Sequence, residues 1–244
     1  MGQSAALFAE WQAASELRDE YLDRLAKDLG YYYRVCAFGS ARTSRDHRFF
    51  KSAQAFAQRL AEEGIDVLTG GGNGMMRALN EGARNGGCGK TRSLAATLEL
   101  RGEEPNEFLD RQYKTRHFDD RFGIFHTAGT VFVALEGGIG TAYEIIFTAQ
   151  KLQLRRSGKE MNGVQGFRSL SSQLGWTPLL VVHQFHKNWL RAMMDAFHGD
   201  GMVDAEDNTI FTFVRSNEEA ADVILRDRAN WRKFLRKRGA EPMN

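Results

Sequence analysis

The sequence predicts an α/β fold, a parallel sheet with helices on both faces. Three observations carry that prediction. Short apolar strands alternate with helical segments along the chain, and each strand is bounded by turn residues. Three strand ends lead into glycine-bearing loops, at 39–40, 70–74 and 137–140. In sheets of this kind such loops share one rim, where ligands bind beyond the carboxyl ends of the strands.

The elements follow in order. Residues 4–29 carry Leu7, Trp11, Leu17, Tyr21, Leu22 and Leu25 near helical spacing, which predicts one helix or two short ones outside the core sheet. Arg34–Phe38 is an apolar strand ending in Gly39-Ser40. Phe49, Ala53, Phe56, Ala57 and Leu60 mark one helical face that Gly64 stops. Strand 65–69 ends in Gly70-Gly71-Gly72-Asn73-Gly74, and Met75–Arg84 reads as a helix closed by Gly86-Gly87. Ser93–Leu98 is a strand, followed by a polar loop with Pro105 and a helix through about 113–128. Strand 130–135, a glycine turn and a helix to about 154 come next. The polar, glycine-containing stretch 155–177 reads as an inserted, mobile surface segment. A strand at 178–182, a helix at 188–197, a strand at 209–214 and a helix from Glu218 complete the chain. The expected organisation is therefore a helical extension over 1–30, a Rossmann-like, doubly wound nucleotide-binding domain over 31–227, and a basic tail over 228–244.

Composition narrows the function classes. Of the 244 residues, 42% are hydrophobic, enough for a sizeable core, and 26% are charged, with a net charge of only +2. Nothing in that total demands nucleic acid. The basic C-terminal stretch carries Trp231, Phe234 and Leu235, and reads as a helix docked by its apolar side with solvated charges. Cys36 and Cys88 are the only cysteines, in no C-x-x-C pair, so neither a zinc site nor a disulfide framework is expected. No apolar run is long enough to cross a bilayer and the first residues do not read as a signal peptide, so a cytoplasmic protein is expected. His47, His183, His186 and His198 show no metal-ligand spacing, and no metal is expected.

The chemistry concentrates in Glu136-Gly137-Gly138-Ile139-Gly140-Thr141-Ala142-Tyr143-Glu144. Gly137, Gly138 and Gly140 let backbone N–H groups close on an anion at a helix N-terminus, and Thr141 adds a hydroxyl. Glu144 follows about one turn on. Thr141 to Glu144 also fits a capping box, which would spend the carboxylate on the helix itself. Gly70–Gly74 is a strand-to-helix turn and matches neither a Walker loop nor the dinucleotide fingerprint. Gly86-Gly-Cys-Gly-Lys90-Thr91 resembles the end of a Walker motif but leads into a strand. Within Arg116, His117, Asp119, Asp120 and Arg121, one arginine facing the rim could bind a phosphate or sugar hydroxyl, and periodicity does not choose which. Ser40 and Arg42 follow the first strand, where nucleotide contacts are made.

Together these residues resemble the LOG family, whose characterised members are cytokinin riboside 5′-monophosphate phosphoribohydrolases or related nucleotide 5′-monophosphate nucleosidases. The family pattern P-G-G-x-G-T-x-x-E matches 136–144 in all but its first residue, and T-G-G-G-x-G-x-M matches Thr69–Met76. Glu104-Pro105-Asn106 resembles the E-P-N of one branch, and the family's arginine, fifteen positions before the proline, falls on Arg121. The resemblance implies that Glu144 and Arg121 are the catalytic pair. It implies that Gly137, Gly138, Gly140 and Thr141 bind phosphate and that Gly39, Ser40, Gly71 and Gly72 contact the nucleotide. It further implies a homodimer acting on a small-molecule nucleotide without a cofactor. A carrier of nucleotide or pterin cofactor on the same fold is the alternative. Glu136 replaces the family proline, Phe122 the lysine after the arginine, and Arg77 the glutamate common in the E-P-N branch. An unpaired Glu136 would repel a phosphate dianion.

Overall fold

The computed structural model describes residues 2–87, 89, 91–99, 104–158 and 166–244. Cys88 and Lys90 of the Walker-like run, and 159–165 of the expected insertion, lie outside them. The order is α1 (Gly2–Leu29), β1 (Arg34–Phe38), α2 (Arg48–Glu62), β2 (Asp66–Thr69), α3 (Met75–Gly87), β3 (Ser93–Leu98), β4 (Arg111–Thr115), α4 (Phe118–Ala128), β5 (Val131–Ala134), α5 (Ile139–Arg156), α6 (Leu170–Gln173), β6 (Leu180–His183), α7 (Lys187–Gly199), β7 (Phe211–Val214) and α8 (Asn217–Lys237). The seven strands are all parallel, in the order β4-β3-β2-β1-β5-β6-β7. The strand order reverses between β1 and β5, so the crevice for a ligand opens there.

Alternation along β1 divides the core. Val35 and Ala37 face α2, α3 and α8, whereas Cys36 and Phe38 face α1, α4, α5 and α7. The α2 and α3 helices approach closely because Gly82 and Gly86, one turn apart on α3, lack side chains. A Cβ at these positions would stand 2.1 Å from the Gln54 carbonyl oxygen and 2.3 Å from that of Gln58. The helix ends at Gly87, as expected, with Gly86 in its last turn. At the opposite end of the sheet from the rim, Asp66 accepts hydrogen bonds from Arg34 at 3.1 Å and from Arg92 at 2.7 Å. This pairing lets two strand termini bury charge.

Three further expectations change. The helix expected over 113–128 is a strand and a shorter helix. Arg111–Thr115 pairs with β3 from Leu94↔Arg111 to Leu98↔Thr115, and its alternating exposed and buried residues are those of an edge strand. The described part of 155–177 is not a surface insertion. The α5 helix continues to Arg156, and Phe167, Arg168, Ser169, Ser171 and Ser172 are buried. Arg168 reaches α1, pairing with Asp19 at 2.9 Å and Asp23 at 3.0 Å. Finally, α8 runs through the boundary expected at 227/228, with Trp231 and Leu235 fully buried and Arg228 buried against the Glu63 carbonyl, to which it donates.

Candidate functional site

The three glycine loops meet at the rim. The Ser40 N–H donates to the Glu136 carbonyl at 3.1 Å, and the Ser40 carbonyl accepts from the Met75 N–H at 2.8 Å. The loop after β1 is thereby tied to those after β5 and β2. The close fit explains Gly39, where a Cβ would stand 2.7 Å from that of Met75. The Ser40 hydroxyl accepts from the Arg42 N–H at 3.1 Å, a local turn, while Arg42 itself is exposed.

The β5–α5 turn differs from the sequence expectation at one point. The helix begins at Ile139 with Gly138 as N-cap, and no side chain caps it. Thr141 and Glu144 therefore form no capping box, and Glu144 stands in the second turn, free for the site. Thr141 is buried against Gly137, where a Cβ would lie 2.1 Å from its Oγ1. A Cβ at Gly138 or Gly140 would meet nothing within 4 Å, and Ile139 between them is 92% exposed. The first N–H groups of an 18-residue helix thus face open space beside two bare Cα atoms.

Among the charged residues before β5, Arg121 is the one that faces the rim. Its Nη2 lies 3.9 Å from Glu144 Oε1, and both side chains are nearly enclosed, at 13% and 14% exposure. The guanidinium rests directly on Gly70, where a Cβ would stand 1.8 Å from Nη2, and lies over the Phe125 ring at 5.2 Å. Its Nε is buried without a hydrogen-bond partner. Burial pushes the Glu144 carboxyl up from 4.5 to about 7, and Arg121 only partly opposes the shift. A buried cation with unspent donors beside a carboxyl titrating near neutrality is an arrangement of the kind active sites maintain.

Arg121 also lines a cavity of about 430 Å³ that runs over the ends of β2, β3 and β4. Gly70, Gly71 and Gly72 form its near wall, and Gln112 and Lys114 from β4 lie on its far side. Neither β4 residue was anticipated, because the strand itself was read as helix. Gly137–Thr141 lies outside the lining, across Arg121 from this space.

Glu136 lies against the carboxyl end of β6. It is buried, with Oε1 3.6 Å from His183 Nε2 at the end of β6. His183 Nδ1 accepts from the Phe185 N–H at 3.2 Å, so the ring hydrogen on Nε2 faces the carboxylate, whose Oε2 is buried without a hydrogen-bond partner. His186 supports the same corner. Its Nδ1 accepts from Trp189 Nε1 at 3.2 Å, which leaves Nε2 to donate to the Leu135 carbonyl at 2.8 Å. Burial holds that imidazole below its usual range, in the neutral form this bonding needs. Phe122, in place of the family lysine, packs among His126, Tyr143 and Phe147, away from any ligand role. Among the described residues no group of three His, Cys, Asp or Glu could hold a metal ion, and no helix is long and apolar enough to cross a membrane.

The chain resembles several known proteins. Over 124 residues the chain is 28% identical to a "probable cytokinin riboside 5′-monophosphate phosphoribohydrolase" of Oryza sativa subsp. japonica, covering 51% of this chain and 50% of that protein. Over 142 residues it is 27% identical to the cytokinin riboside 5′-monophosphate phosphoribohydrolase LOG2 of Arabidopsis thaliana, covering 56% of this chain and 65% of the other. The chain thus spans one half to two thirds of the length of these relatives. Among solved structures, the molybdenum cofactor carrier protein of Chlamydomonas reinhardtii superposes with a TM-score of 0.53 at 17% identity, over 81% of this chain and 99% of that one. That likeness establishes the fold. The model of the SLOG cluster4 family matches residues 32–154, the half that carries Gly39, the Gly70–Gly74 loop, Arg121 and the turn to Glu144, and the chain belongs to that family.

Proposed function

We propose that this chain hydrolyses the N-glycosidic bond of a nucleoside 5′-monophosphate, releasing the free base and ribose 5-phosphate. The observation that carries this reading is the enclosed Arg121–Glu144 pair, seated on Gly70 beside the open N-terminus of α5. The phosphate would lie on the N–H groups around Gly138 and Gly140, where the helix dipole favours an anion. Arg121 would hold ribose hydroxyls or a phosphate oxygen with its unspent donors. The bond from C1′ to the base nitrogen breaks as positive charge spreads over the ring oxygen and C1′, much as in glycoside hydrolysis. Glu144, ionised in a large fraction of molecules at neutral pH, would stabilise that charge or orient the attacking water. Water supplies the hydroxyl at C1′, and its proton leaves with the base. The base would occupy the cavity toward Gln112 and Lys114.

A homodimer fits the same reading, since Ile139, Tyr143 and Phe118 stand exposed around the site. The test of function is incubation with AMP, GMP, CMP and UMP, with free base separated and quantified. Base release from at least one of them is expected. Nucleotide binding without base release from any of the four would favour a carrier and overturn the hydrolase reading.

A further inference from the structure

The seat of Arg121 is held from beneath by buried amides. Gly71 adopts the left-handed conformation, with φ at +75°, and its N–H donates to Thr69 Oγ1 at 2.9 Å. The Thr69 hydroxyl donates in turn to Asn80 Oδ1 at 2.7 Å. Asn80, fully buried on α3, donates to Ser93 Oγ at 2.9 Å, which anchors it to β3. Asn106, from the loop between β3 and β4, closes the network. Its Nδ2 faces three acceptors, the carbonyls of Gly71 at 2.9 Å and Gly72 at 3.0 Å and Asn80 Oδ1 at 3.1 Å. Its backbone N–H donates to the Gly71 carbonyl at 2.8 Å, and its own Oδ1 accepts from the Phe108 N–H at 3.1 Å. Every donor and acceptor of this side chain faces a partner, and the residue is buried. A side chain used only for packing would not need that.

We infer that Asn106 is a positioning residue for Arg121, acting through the two glycine carbonyls it clamps. This inference rests on the hydrolase reading above. The chain of cause is short: the clamp fixes Gly71 and Gly72, these fix Gly70, and the bare Cα of Gly70 is the surface on which the guanidinium lies. An aspartate of the same shape could not serve, because a carboxylate would face three acceptors without a hydrogen to give. A loosened loop lets the guanidinium drift from Glu144. A misplacement of about 1 Å at a reacting centre costs up to about 100-fold in rate. It also removes the opposing influence of Arg121 on Glu144, so the carboxyl titrates at higher pH.

The experiment measures kcat and KM across pH, for whichever of AMP, GMP, CMP and UMP releases base fastest, in the wild type, Asn106→Ser, Gly70→Ala and Ile224→Val. Asn106→Ser is expected to lower kcat by roughly 10- to 100-fold with a smaller change in KM. It is also expected to move the Glu144 limb of the profile to higher pH, as Gly70→Ala does by filling the seat directly. Ile224→Val, which loosens the α8 core, lowers the melting temperature and leaves kcat and the limb in place. An Asn106→Ser enzyme with wild-type kcat and an unmoved limb overturns the inference. Should that variant not accumulate as folded protein, Asn106→Thr fills more of the volume and is judged by the same two readouts. If the wild type binds nucleotide but releases no base from any of AMP, GMP, CMP and UMP, the hydrolase reading has failed. Asn106 is then tested by affinity: a loss of tenfold or more supports the clamp and wild-type affinity overturns it.

Discussion

Replacing Glu144 with glutamine should make the protein more stable and less active, and the stability gain should depend on pH. The carboxyl titrates at 4.5 ordinarily and at about 7 in the folded chain, chiefly because burial disfavours its charge. At 1.36 kcal/mol per pH unit, that difference amounts to about 3 kcal/mol. Below pH 4.5 the group is protonated whether the chain is folded or not, and no penalty arises. Between 4.5 and 7 the unfolded chain gives up the proton while the folded chain keeps it. Stability therefore falls as pH rises and levels off above 7. Glutamine has no such transition and resembles the protonated acid. The two proteins should melt together near pH 4.5, and the variant should be more stable by about 3 kcal/mol at pH 8. For a chain of this length that is about 6–10 °C in melting temperature. The assay is thermal unfolding at pH 4.5, 6, 7 and 8, by fluorescence or calorimetry. Turnover in the same variant should fall by about 10²- to 10⁴-fold. A variant that melts below the wild type at pH 8, or whose gain is equal at every pH, would refute the reasoning.

The remaining predictions concern the turn and the frame. Gly138→Ala and Gly140→Ala meet open space, so each should leave the melting temperature unchanged or slightly higher while weakening nucleotide binding by obstructing the approach of phosphate. Calorimetric titration with AMP beside thermal unfolding separates the two effects. Gly137→Ala should instead cost about 1–3 kcal/mol in denaturant unfolding, because the new Cβ overlaps Thr141. Asp66→Asn removes the charge shared by the buried Arg34 and the half-buried Arg92, and should cost about 3–5 kcal/mol in the same assay without changing nucleotide affinity at the far rim.

Much of this architecture was legible in the residues, and the exceptions have physical causes. β1 and β3 are apolar runs between clear turn signals, and their observed ends match the expected ones. β4 was not legible. Arg-Gln-Tyr-Lys-Thr buries only Tyr113 and Thr115, so it has too little apolar content to stand out from the amphipathic helix that follows. The 166–177 stretch misled in the opposite way. Its serines and Arg168 are polar by composition, yet they are buried because each finds a hydrogen bond or ion pair in the fold. At the site, the glycine turn was visible because a strand, three glycines and a helix have a local signature. The choice of Arg121 over Arg116 came from the family pattern and not from periodicity, since it depends on a guanidinium resting on a glycine fifty-one positions earlier. Whether Glu144 was a cap or a site residue depended on where α5 begins. An N-cap at Gly138 in place of Thr141 rules out the cap. Asn80 left no trace in the sequence, because a polar residue on a helix facing the sheet looks the same whether it is exposed or buried.

The central claim is that Arg121 and Glu144 form a hydrolytic pair for a nucleoside monophosphate. It is tested most directly by quantifying both products from whichever of AMP, GMP, CMP and UMP is cut fastest, with the wild type and Glu144→Gln side by side. The account predicts free base and ribose 5-phosphate in equal amounts from the wild type, and nucleotide bound but almost uncut by the variant. Equal rates of base release from the two proteins would contradict it.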